Sequence, residues 1–204
     1  MTDRIAELQS LLDGLQAGLA ARADSVAGAA AALTRVQSAM ATVGPSGSTG
    51  PDEGVPQAVD AWLPAALARA EAAGGTAAAT AKALAALGPK IHWYRREGLE
   101  APDDFPDKHA LATLIGPADR PGALEVRDDL RVGVSLVAPY TCYPDHRHPP
   151  EELYLALTGG EWRQDMGPWF EPEPGGIVFN TSNILHGMRA GAEPQLALWC
   201  LPIP

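Results

Sequence analysis

The amino-acid sequence predicts a mainly β fold, a sandwich or barrel, preceded by an α-helical N-terminal extension. Three observations lead there. The first 88 or so residues are Ala-rich, with apolar side chains recurring every three or four positions. A Pro/Gly/Ser stretch interrupts them. From about residue 90 alanine thins out, and short alternating runs rich in β-branched and aromatic residues follow one another between turn residues. We therefore expect an extension over 1–88 that packs on a β-domain over 89–204.

In the extension, Ile5, Leu8, Leu11, Leu12, Leu15 and Leu19 fall on one helical stripe, with Thr2 or Asp3 as the N-cap. The pattern continues loosely through Val26, Leu33, Val36 and Met40 until Gly44-Pro45-Ser46-Gly47-Ser48-Thr49-Gly50-Pro51 stops it. A second helical segment from about Pro56 to Leu87 places Val59, Trp62, Leu63, Ala66 and Leu67 on one face, and Gly74-Gly75 should divide it. Strands are expected at Ile91–Tyr94, Leu130–Val137, Leu153–Leu157, Gly176–Phe179 and Leu196–Leu201.

Composition removes several classes of function. At 204 residues, with 46% hydrophobic and 20% charged side chains, the chain is that of a folded globular protein. Its net charge is −10 and no basic cluster exceeds Arg95-Arg96. Nucleic acid and anionic membranes both need a basic footprint, so neither is an expected partner. Cys142 and Cys200 read as two reduced thiols. No signal-peptide stretch is visible, and no run approaches the roughly 18 apolar residues of a spanning helix. Together these predict a cytoplasmic protein.

The chemistry concentrates in Tyr143-Pro-Asp-His146-Arg-His148-Pro-Pro-Glu151-Glu152-Leu-Tyr154. Alternate residues of a strand share a face. His146 and His148 then point one way, as do Glu152, Tyr154 and Ala156, while Leu153, Leu155 and Leu157 make an opposite, apolar face. A polar, ionisable face backed by leucines is expected where a strand lines a cavity. Imidazoles and a carboxylate converging there offer N and O ligands to a divalent metal. His186, after the Gly175-Gly176 turn, is placed to close the site. His92 and His109 stand alone and are weaker candidates. Arg147 and Arg163 read as surface ion-pairing residues.

These residues resemble the cupin superfamily. Its first motif, G-x5-H-x-H-x3-E-x6-G, appears as His146-x-His148-x3-Glu152-x6-Gly159, with Tyr140 in place of the leading glycine. Its second, G-x5-P-x-G-x2-H-x3-N, survives as Gly175 and His186, with Thr181, Asn183 and Ala190 in the remaining places. The resemblance implies a cupin double-stranded β-helix, a jelly-roll barrel, and the homodimeric pairing common among cupins. More narrowly, Tyr-x-x-His-x-His-Pro-Pro-Glu-Glu-Leu-Tyr with a later Asn-x-x-His-Gly-Met is similar to the cupin-type dimethylsulfoniopropionate (DMSP) lyases, which also carry an Ala-rich helical N-terminal region. That resemblance implies one divalent metal (Zn, Fe, Mn or Co) on His148, Glu152, Tyr154 and His186. It implies a substrate pocket with Tyr143 and His146 on its wall, and either Tyr143 or Tyr154 as the catalytic base.

The chemistry is consistent with these residue types. Breaking DMSP into dimethyl sulfide and acrylate is a β-elimination, and it needs a Lewis acid at the carboxylate, a base and a wall that tolerates a cation. A tyrosine beside a metal is a credible base, because a nearby cation favours the phenolate. Trp162 and Trp199 are candidates for the wall through cation–π contact. His146 is wall or optional ligand. An iron-dependent cupin dioxygenase or a non-catalytic cupin that binds a small carboxylate would share His146, His148, Glu152 and His186. The helical extension is expected to shield one face of the barrel and partly to lid the pocket.

Overall fold

A computed structural model describes residues 4–47, 54–98, 100–120 and 122–203. Four helices precede the strands: α1 (Ala6–Arg22), α2 (Ala29–Met40), α3 (Gln57–Ala73) and α4 (Gly75–Leu87). The α1 stripe buries Leu8, Leu11, Leu12, Leu15 and Leu19, but Ile5 is exposed, because the buried face starts one turn later. The chain turns into α2 at Gly28, whose φ of 82° is left-handed. A Cβ there would also lie 2.7 Å from the Phe179 ring, so glycine answers two demands at once. Gly74, at φ 77°, separates α3 from α4. Contrary to expectation Trp62 is exposed. α3 seats itself through the small side chains Ala58, Ala66 and Ala70 with Val59, and a tryptophan would hold it away from its neighbours. Thr2, Asp3 and the linker positions 48–51 lie outside the described residues.

The strands are β1 (Trp93–Tyr94), β2 (His109–Gly116), β3 (Glu125–Val126), β4 (Leu130–Val137), β5 (Cys142–His146), β6 (Glu152–Ala156), β7 (Glu161–Gln164), β8 (Ile177–Asn180), β9 (His186–Arg189) and β10 (Gln195–Pro202). Seven form one sheet in the order β1-β2-β4-β10-β6-β8, with β3 joined in parallel to β2, and β5-β9-β7 form a smaller sheet. The period of two gives the large sheet two apolar faces. Leu153, Leu155, Val132, Val134 and Leu198 pack in one cluster with the α1 and α2 leucines. Tyr154, Ala156, Val137 and Ala197 face the small sheet in a second cluster with Tyr143, Trp162 and Met188. Gly18 of α1 comes so close to Leu155 that an added Cβ would stand 2.7 Å from both of its terminal methyls.

A buried ion pair also ties the helical layer to the strands. Arg4 donates to both Glu125 oxygens, at 2.6 and 3.1 Å, and the Gly44 N–H donates to the same carboxylate. The helices thus shield one face of the large sheet. Among the described residues the helices supply none of the cavity lining described next.

Candidate metal centre

Strand phase brings the first group together. Glu152 opens β6 with its side chain on the inner face, and Tyr154 follows two residues later on the same side. His146 ends β5 and His186 begins β9, and these two residues are register partners. His148 reaches in from the turn between β5 and β6. One nitrogen from each of His146, His148 and His186 lies within 4.8 Å of the others, a group that can hold a metal ion. The Glu152 Oε2 is 3.3 Å from His148 Nε2 and 3.2 Å from His186 Nε2.

The orientation of the rings is set locally. Nδ1 of His146 contacts the Pro144 carbonyl at 3.0 Å, that of His148 the Pro150 carbonyl at 2.9 Å, and that of His186 the Ile184 carbonyl at 3.0 Å. A carbonyl only accepts, so each Nδ1 carries the hydrogen and each Nε2 keeps its lone pair. His186 Nε2 is buried with no hydrogen-bond partner. Behind the carboxylate, Asn180 donates to Glu152 at 3.2 Å, and Gln164 donates to Asn180 at 2.7 Å. Three unprotonated imidazole nitrogens and a braced carboxylate fit a divalent metal.

The electrostatics follow from burial and from these partners. Burial alone would raise the Glu152 pKa, but the imidazoles of His148 and His186, 3.3 and 3.2 Å from its Oε2, outweigh it and hold the carboxyl well below its usual range. His148 moves up: burial opposes its charge, yet the Glu152 carboxylate more than compensates. His146 is depressed to about 4 by burial and by His186 beside it. Burial pushes the Tyr143 phenol up to about 12, with Arg96 pulling the other way. Tyr154 lies well above its ordinary value, because it is buried and the Glu152 charge is near.

A cavity of about 240 Å³ opens on this group, lined by Tyr143, His146, His148, Glu152, Tyr154, Met188 and Trp199. His186 stands behind that wall and is nearly fully buried. Trp162 does not reach the cavity. Its ring lies behind Tyr154, 6.3 Å between centroids, because Trp162 pairs with Met188 in β9 and fills the space between the sheets. His109 is buried and stacks on Phe105, with Tyr143 against its edge. Arg163 pairs with Asp145 on the surface. Cys142 and Cys200 are both free. The lining also includes Tyr94, Arg96, Thr113, Arg120 and Arg131, none of which carries a motif that sequence reading could have found.

The two facing sheets define a cupin-type fold, and its histidine group could hold a metal ion. The profile of the dimethylsulfoniopropionate (DMSP) lyase family matches residues 29–197, and the chain belongs to that family. It is 32% identical over 123 residues to the dimethylsulfoniopropionate lyase DddQ of Ruegeria pomeroyi, a match spanning 59% of each chain. The crystal structure of DMSP lyase DddQ from that organism superposes with a TM-score of 0.70 at 25% identity, covering 97% of this chain and 92% of the other. A structure from a study of the DMSP lyases RdDddP and RnDddQII shares the fold, with a TM-score of 0.65 at 23% identity and the same coverage.

Proposed function

We propose that this chain is a carbon–sulfur lyase that cleaves DMSP to dimethyl sulfide and acrylate by base-catalysed β-elimination. One observation carries the reading: three imidazoles gather beside the Glu152 carboxylate at a cavity that two tyrosines line, His146 and His148 on its wall and His186 just behind it. In this reading His148, Glu152 and His186 hold one divalent metal, with His146 joining them and Tyr154 as a neighbouring oxygen. The ion, when bound, supplies a Lewis acid that offsets carboxylate charge. Residues 89–204 carry the centre, and the extension over 1–88 backs the sheet on which it is built.

We assign the base to Tyr143. Arg96 places a guanidinium nitrogen 3.4 Å from its hydroxyl and favours the phenolate, whereas Tyr154 faces the negative charge of Glu152. The Tyr143 oxygen takes the proton from the carbon beside the carboxylate. The electron pair left behind forms the C=C bond, the C–S bond breaks, and sulfur leaves as neutral dimethyl sulfide without an acid. Trp199 offers the sulfonium an aromatic face. Trp162, outside the cavity, has no part in this reading.

The test is headspace detection of dimethyl sulfide from DMSP, using metal-stripped protein and protein restored with Zn, Fe, Mn or Co. Activity should return with metal, and Tyr143→Phe should lower kcat by about 10²–10⁴. No sulfide with any of the four metals rejects the lyase and leaves the fold standing. The three-histidine, one-glutamate donor set also suits an iron dioxygenase, and turnover without O₂ separates the two.

A further inference from the structure

We propose that Arg131 and Arg96 are specificity-determining residues that receive the ligand's carboxylate, so that the cavity selects small carboxylates and orients a zwitterion carboxylate-first. The identity of that ligand as DMSP rests on the reading above. The arginine site does not.

Three arginines, Arg96, Arg120 and Arg131, line the cavity, and among the described residues the only acid on its wall is Glu152. Most other arginines of this acidic chain meet carboxylates, as Arg4 does Glu125, Arg127 Asp129, Arg163 Asp145 and Arg189 Glu161, while Arg22 and Arg147 lie exposed to water. Among the described residues none of the three cavity arginines has such a partner. Arg131 goes further, since its Nε is buried with no acceptor at all. A buried donor left unpaired is destabilising, a penalty that an incoming acceptor removes.

Register places these groups beside the chemistry. Arg131 pairs across the sheet with Leu201, two residues beyond Trp199, and Trp199 in turn pairs with Tyr154. Arg96 comes from the far side. Its backbone N–H donates to Nε2 of the buried His109 at 2.9 Å, and its side chain ends at the Tyr143 hydroxyl. Three guanidiniums against one carboxylate leave the wall strongly positive before any metal binds. A sulfonium alone is repelled by that field, and a carboxylate is drawn in. The zwitterion therefore enters with its carboxylate towards the arginines and its sulfonium towards Trp199.

Calorimetry of metal-loaded protein with propionate, an unreactive carboxylate, and with the neutral propionamide tests this directly. Wild type should bind propionate and not propionamide. Arg131→Gln and Arg96→Gln should each weaken propionate by about tenfold or more, the loss expected for a hydrogen bond to a charged group. With DMSP, Arg131→Gln should raise KM more than it lowers kcat, Arg96→Gln should lower kcat as well because it also removes the cation beside the Tyr143 oxygen, and Arg131→Lys should recover part of the loss. Should Arg131→Gln unfold, Arg131→Lys and Arg96→Gln carry the same comparison. Equal binding of propionate and propionamide, or unchanged propionate affinity in the folded variants, overturns the proposal. If wild type releases no dimethyl sulfide yet binds propionate through these arginines, the lyase reading fails and this one stands. If sulfide is released while the variants keep wild-type KM and propionate affinity, only this one fails.

Discussion

Acidifying the metal-free protein should destabilise it through one histidine. Burial, reinforced by His186, depresses the pKa of His146 from 6.5 to about 4. A base depressed in the folded state gives stability that is present above its unfolded pKa and lost as pH falls towards the folded one. Below 6.5 the unfolded chain takes up a proton that the folded chain refuses. At about pH 4.5 the two titrations differ by about 2.5 kcal/mol, against nearly nothing at about pH 7. His148, with its pKa raised, works in the opposite direction, so the His146 contribution must be isolated by difference. The comparison is thermal unfolding of chelator-stripped wild type and His146→Gln at both pH values. Carboxylate titrations common to the two proteins cancel. For a chain of this size about 2.5 kcal/mol corresponds to roughly 5–10 °C, so the wild-type Tm should fall by that much more than the variant's. Parallel losses in the two proteins would refute the assignment of the proton to His146.

Two further predictions concern the attachment of the helices. Leu155 is fully buried against Gly18, so Leu155→Ala should cost about 2–5 kcal/mol in urea denaturation. A loss under about 1 kcal/mol would show that helices and sheet do not share a core. Arg4→Met removes the bidentate partner of buried Glu125 but leaves Arg127 at 3.6 Å. The same assay should therefore record a loss of roughly 1–3 kcal/mol, and an unchanged midpoint would mean the pair contributes nothing.

Much of the site could be read from the chain because strand phase is local. Glu152 and Tyr154 share a face and Leu153 and Leu155 share the other whatever surrounds them, and the leucines met the helices as that phase requires. The glycine places of the cupin motifs show the same economy in reverse. Tyr140 and Asn183 stand where those glycines would be, and both keep a left-handed backbone, at φ 56° and 60°. Asparagine tolerates that conformation, while Tyr140 bears a strain of about 1–2 kcal/mol and is left pointing into solvent. β2 was not expected, because all eight of its residues are buried and it shows no alternation to detect. β5, β7 and β9 are four or five residues long, too short for periodicity to stand out.

The sequence by itself determined the fold class, the helical extension, and the residue types and order of the histidine–glutamate–tyrosine group, since each follows from spacing within one or two segments. Only the tertiary structure decided how that group works. It drew His146 in with His148 and His186, tied each ring's Nδ1 to a backbone carbonyl, and moved Trp162 behind Tyr154 while leaving Trp199 in the cavity. It also gathered Arg96, Arg120 and Arg131 from three separate parts of the chain. Ring orientation, cavity lining and local charge depend on partners brought together by strand register, and register is fixed by the packing of both sheet faces.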